Sequence, residues 1–262
     1  MRAVFTLTSA ESKRLLGKAV AQLPAVKRAL QKGRVIIGGG TTNAYVAEEI
    51  LGIEVDKAKY TAGIITGGVQ CVTPAEDRLA PYSIVDGEVT KESWLEVLAD
   101  FTADDVFIKG ANAVDAEGHA GVLMSNPKGG TIGQAIGTLA ARGSKLIIPV
   151  GLEKMIPSVE LAAAAAGINT FDYSLGQRVG LMPLMYGEVI TEIEALDMLT
   201  GVDAVCIAAG GVGGSEGSVT LSVEGSEGMV GATLDLIKGI KGEKPIPQLK
   251  QKCQCGDPCN RF

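Results

Sequence analysis

The chain has 262 residues, 46% of them hydrophobic and 21% charged, with a formal net charge of −6; this supplies a substantial core for one large domain, with or without a small second one, and argues against disorder. The 24 Lys and Arg form no cluster against 30 Asp and Glu, which argues against a nucleic-acid surface while leaving room for one electropositive pocket. The first residues, MRAVFTLTSAESKRLLGKAV, carry charges where a secretion signal would be apolar, and no apolar run approaches the ~18 residues of a membrane span, so a cytoplasmic protein without a membrane partner is expected.

After Ser9, a candidate N-cap, residues 10 to 32 carry apolar side chains at helical spacing, divided at Pro24. The runs RVIIGG, YTAGIITGG, DVFIKG and KLIIPVG then alternate with helical stretches at 43–51, 91–99, 131–142 and 157–166. That rhythm predicts strand–helix–strand units, an α/β fold with a mainly parallel, Rossmann-like sheet in three layers and helices on both faces. Past about Leu175 the order is strand (MPLMYGEVI), helix (TEIEALDMLTG), strand (DAVCIAAGG), strand (SVTLSVEG), helix (EGMVGATLDLIKGI), which predicts a small ferredoxin-like α+β unit. The expected division is therefore 1–175 as the ligand-binding domain, 176–240 as the small unit, and 241–262 as a polar tail.

The segment Arg34 to Ile50, RVIIGGGTTNAYVAEEI, reads as a strand, three glycines and a helix start, the arrangement of an anion seat. Its spacing is neither G-x-G-x-x-G nor G-x-x-x-x-G-K-[ST], which speaks against a standard dinucleotide or nucleoside-triphosphate site. Further strand ends carry Thr66-Gly67-Gly68 and Lys109-Gly110-Ala111-Asn112, with Asp115 beyond; Lys128-Gly129-Gly130 opens a helix, and a fourth strand ends near Glu153-Lys154. Ligands of open α/β sheets collect at such carboxyl ends.

In the order and kind of these motifs, residues 30 to 160 resemble the superfamily of ribose-5-phosphate isomerase, glucosamine-6-phosphate deaminase and the CoA transferases, which also contains the sensor domains of DeoR-type repressors and regulatory subunits of initiation factor 2B. The resemblance implies a small anionic metabolite, a sugar phosphate or a CoA-type ligand with CoA then a substrate rather than a resident cofactor, and a homo-oligomer, dimer or tetramer. It implies ligand contacts from Gly39, Gly40, Thr41, Thr42, Gly67, Gly68, Lys109, Asn112, Gly129 and Gly130. The isomerases carry acids at the third strand end, where this chain has Lys109, Asn112 and Ala113, and an amide cannot serve as a general base near neutral pH. Ordinary pentose-phosphate isomerisation is therefore not expected. Lys128, Asp115 and the single histidine, His119, stand as candidate catalytic groups. The expected alternatives are an isomerase-, deaminase- or CoA-transferase-like enzyme and a metabolite sensor of the same fold without turnover.

Other chemistry-bearing residues have simpler readings. Cys71 follows Gly67-Gly68 and is read as a small buried hydrophobe before a nucleophile; Asp172 and Glu188 are carboxylates with no local motif; Ser215-Glu216-Gly217 reads as a glycine-rich hairpin before an acyl-accepting glutamate. Cys253, Cys255 and Cys259, spaced C-x-C-x-x-x-C, lack a fourth ligand in sequence, so reduced thiols and no metal are expected there.

Overall fold

The computed structural model describes residues 1–247. Its elements in chain order are β1 (Arg2–Leu7), α1 (Ser9–Gln22), α2 (Pro24–Gln31), β2 (Arg34–Ile37), α3 (Thr41–Leu51), β3 (Gly63–Thr66), β4 (Val69–Val72), β5 (Tyr82–Val85), β6 (Glu88–Val89), α4 (Trp94–Ala99), β7 (Val106–Ile108), β8 (Ala113–Val114), β9 (Ala120–Met124), α5 (Gly130–Arg142), β10 (Lys145–Pro149), α6 (Val159–Ala165), β11 (Gly180–Leu184), β12 (Glu188–Ile190), α7 (Glu192–Thr200), β13 (Asp203–Gly210), β14 (Ser218–Glu224) and α8 (Glu227–Ile240). None of the described helices is long and apolar enough to cross a membrane.

Strand periodicity builds the centre. In β2, Val35 and Ile37 enter one apolar cluster and Ile36 the other; Val106 and Ile108 against Phe107 in β7, and Ile147 against Leu146 and Ile148 in β10, follow the same alternation. A six-stranded sheet, β12-β10-β7-β2-β5-β6, is thereby packed on both faces. Leu15, Leu16, Val26 and Ala44 from α1, α2 and α3 cover one side, and Val97, Leu98, Ile132 and Leu139 from α4 and α5 cover the other.

The chain is a mixed α/β protein with several sheets, and its pairing is less parallel than the sequence rhythm predicts. Parallel pairs join β12 to β10, β10 to β7 and β7 to β2; β5 and β6 are antiparallel, as are the sheets β1-β14-β13, β11-β9-β8 and β3-β4. The run YTAGIITGG stays out of the main sheet. Gly67 and Gly68 have φ of +56° and +75°, the backbone of a two-residue hairpin turn that returns β4 directly onto β3. Closing that short loop costs less entropy than carrying β3 to the sheet.

The strands of residues 176–240 pair with earlier parts of the chain as well as with each other. β11 pairs with β9, β12 extends the main sheet, and β14 pairs with β1, a strand that the sequence reading passed over. One apolar cluster runs from Leu7 to Ile240, which ties this segment to the first helices. The first helix is capped one residue earlier than expected: Thr8 Oγ1 accepts the Glu11 N–H and Glu11 returns its carboxylate to the Thr8 N–H, a capping box, while Pro24 opens α2.

A buried carboxylate fixes the entry of β2. Asp105, 1% exposed, accepts the Arg34 N–H at 2.6 Å and the Thr102 N–H at 2.5 Å, with the Arg34 guanidinium 3.7 Å away. Asp105→Ala leaves both donors without an acceptor, so chemical denaturation is expected to show a loss of about 2–4 kcal/mol with an unchanged denaturant slope.

Candidate functional site

Because β2, β7 and β10 run parallel, their carboxyl ends open on the same side, and the segments that follow them meet there. The three glycines after β2 are held by backbone bonds: the Gly38 N–H donates to Ile108 O (2.9 Å) and the Gly40 N–H to Tyr60 O (2.7 Å). Asn43 Nδ2 donates to Gly38 O at 2.7 Å, and the fully buried Tyr60 hydroxyl donates to Ile37 O at 2.5 Å. A Cβ on Gly39 would stand 3.3 Å from Tyr60 O and one on Gly38 3.0 Å from Lys109 Cδ, so close approach between strand ends is what these glycines permit.

Two helices begin on this ground without a side-chain cap. Gly40 precedes α3 and Gly129, at φ +80°, precedes α5. Their first N–H groups have no intrahelical acceptor and add partial positive charge. Thr42, in the first turn of α3 and 2% exposed, has a buried hydroxyl with no hydrogen-bond partner among the described residues.

A cavity of about 570 Å³ lies between these elements, a volume typical of small-molecule sites (about 300–1,000 Å³). Its wall is electrostatically one-sided. Arg78, Lys109 and Lys154 line it, and among the described residues no aspartate, glutamate or histidine does. Lys109 Nζ reaches only carbonyl oxygens, Gly39 O at 3.4 Å and Gly110 O at 3.3 Å; Lys154 Nζ donates to Ala111 O at 2.9 Å. Neither has a carboxylate within ion-pair distance among the described residues. Glu153, beside Lys154 in sequence, is engaged instead by Lys13 at 2.5 Å.

Burial without a counter-charge pushes the Lys109 ammonium down to about 8. Lys154 is also pushed down to about 8, first by burial and then by repulsion from Lys13 and Lys109, partly offset by Glu153 and Glu192. Burial lowers Arg78 as well. Glu192, fully buried behind this corner, accepts the Leu152 N–H at 2.8 Å through Oε2, and burial raises its carboxyl above the usual range.

Of the residues singled out from sequence, Gly39, Gly40, Thr41, Thr42, Lys109, Asn112, Gly129 and Gly130 all line the cavity. Gly67, Gly68, Lys128, Asp115 and His119 do not. Gly67-Gly68 is the hairpin turn of β3 and β4. Lys128 is exposed, its N–H donating to Asn126 Oδ1 at 2.8 Å. Asp115 is 5% exposed and accepts N–H groups of Glu117, His119 and Val159, while His119 Nδ1 lies 3.5 Å from that carboxylate.

Lys154 and Arg78 went unmarked as site residues in the sequence. The signal for Lys154 was its place just past the end of KLIIPVG; Arg78 had none, since it enters from the loop after the hairpin. Cys71 is buried and lines the cavity, and no group of three or more His, Cys, Asp or Glu arranged for a metal occurs among the described residues. Cys253, Cys255 and Cys259 lie outside the described residues. Comparison with known protein families, with curated proteins and with solved structures finds no match for this chain.

Proposed function

We propose that the chain binds a small phosphorylated or otherwise anionic metabolite, a sugar phosphate or CoA-type ligand, at the carboxyl ends of β2, β7 and β10. One observation carries this: in a protein of net charge −6, the cavity wall holds Arg78, Lys109 and Lys154 and, among the described residues, no carboxylate. Half-buried cations that meet carbonyl oxygens but no carboxylate cost the fold free energy, and an anion would recover part of it. The open N-termini of α3 and α5 add donors of the same polarity.

The same proposal covers the doubly wound, three-layer reading of the sheet and the kinship with the ribose-5-phosphate isomerase and CoA-transferase superfamily. They are supported by the parallel set β12-β10-β7-β2 with apolar clusters on both faces, and by GGGTT, KGAN and KGG in the expected order. A sensor without turnover is the second reading, favoured by the absence of a carboxylate or histidine from the wall, where proton transfer at a sugar carbon would need one.

Sugar phosphates, CoA esters and nucleotides screened by thermal shift are expected to include a stabilising ligand, with about 2.7 kcal/mol gained at a hundredfold excess over Kd. The shift should shrink as salt rises. NMR of the best ligand with protein separates the readings: conversion removes the pure sensor, and tight binding without change removes the enzyme. No stabilisation by any anion removes the pocket itself.

A further inference from the structure

Resting on the anion-pocket reading, we infer that the ligand is an aldehyde or ketone as well as an anion, and that Lys154 forms an imine with its carbonyl carbon. Three features of the site separate Lys154 from an ordinary ion-pairing lysine. It stands in the wall of the same cavity that the first residues of α3 line, past the end of β10. Among the described residues its Nζ has a single hydrogen-bond acceptor, Ala111 O, and no carboxylate within ion-pair distance. The adjacent acid, Glu153, is turned away onto Lys13, so Lys154 feels the ammonium groups of Lys13 and Lys109 without a direct partner of its own.

The division of labour between the two lysines follows from placement. Lys109 packs across Gly38 and reaches Gly39 O, beside the start of α3, which makes it the cation for the anionic group. Lys154 is left for the carbonyl. An amine attacks only through its lone pair, and a group at about 8 is unprotonated in roughly one molecule in ten at pH 7, against fewer than one in a thousand for a lysine of ordinary value.

The step balances without a co-reactant. The neutral amine adds to the carbonyl carbon, the carbonyl electron pair moves to oxygen, two protons pass from nitrogen to that oxygen, and one water leaves as the C=N bond forms. Protonated on nitrogen, the imine draws electrons from the adjacent carbon and makes the C–H there more acidic.

The test uses the full chain and probes that divide the two functional groups: dihydroxyacetone phosphate and pyridoxal 5′-phosphate carry both, glycerol 3-phosphate carries only the anion, and dihydroxyacetone only the carbonyl. After borohydride reduction, peptide mass spectrometry is expected to find the adduct of either double probe on Lys154, suppressed at least tenfold by excess glycerol 3-phosphate, and at least tenfold weaker with dihydroxyacetone. Lys154→Arg keeps a cation without the nucleophile, so it should lose the adduct while the free variant still unfolds cooperatively on heating. Labelling spread over surface lysines, or unchanged in Lys154→Arg, overturns the imine. Thermal stabilisation by the phosphates without any adduct also overturns it and leaves the anion pocket standing, whereas neither adduct nor stabilisation removes both.

Discussion

Asp115→Ala is expected to destabilise the protein by about 3 kcal/mol while leaving ligand affinity within twofold. The carboxylate, 5% exposed, accepts the N–H of Glu117 at 3.2 Å, of His119 at 2.9 Å and of Val159 at 2.9 Å. It closes the turn between β8 and β9 and fixes the first residue of α6, so its loss leaves three backbone donors without an acceptor at once. Burial pushes its carboxyl up, but the Val159 and His119 amides, the His119 ring and the Glu117 amide together hold it below the usual aspartate value. The sign follows: a depressed value in the folded state contributes stability at pH above the ordinary aspartate range and loses it as pH falls through the folded value. In urea titrations the gap between the wild type and Asp115→Ala should therefore narrow as pH falls below the ordinary aspartate range. A variant that keeps full stability but loses ligand binding would restore a place for Asp115 in the site.

How much of this was legible in the sequence is decided by range. GGGTT, KGAN and the Gly129-Gly130 pair could be read because glycine at a strand end and an uncapped helix start are local facts; the parallel register of β2 and β7 brings the first two to one cavity, and the loop after β9 brings the third. Gly67-Gly68 looks the same in sequence and does something else. Only the presence of β4 immediately after it, able to fold back on β3, turns an apparent ligand loop into a hairpin. Lys128 and Lys154 show the same limit for charge. Both follow an apolar segment near a glycine, yet Lys128 stands on a solvent-exposed turn and Lys154 faces the cavity, and that difference is set by how β10 lies against β7. The pairing of β1 with β14, more than two hundred residues apart, left no local mark beyond an alternating RAVFTL.

The second large effect is a trade of binding against stability at Lys109. Lys109→Met should weaken the best anion from the thermal screen about 10- to 100-fold, the worth of one charge-assisted hydrogen bond, while raising the stability of the free protein at pH 7 by about 1–2 kcal/mol. The gain arises because the methionine fills the space over Gly38 without a desolvated ammonium, and because the bonds lost, at 3.3 and 3.4 Å to Gly110 O and Gly39 O, are long. Its size follows from burial pushing Lys109 down to about 8, discounted for the part of the side chain that water still reaches. The pH dependence has one sign. A lysine lowered in the folded state carries its full cost below about 8, and that cost fades as pH rises toward the unfolded value near 10.5, so the stability advantage of Lys109→Met should close over that window. Anion binding reverses the shift and must take up protons near pH 8, which calorimetry in two buffers of different ionisation enthalpy reads directly. A structural lysine would give the opposite pattern, with lower stability in the variant and no proton uptake on binding, so one substitution and one titration decide whether Lys109 is held unpaired for a ligand.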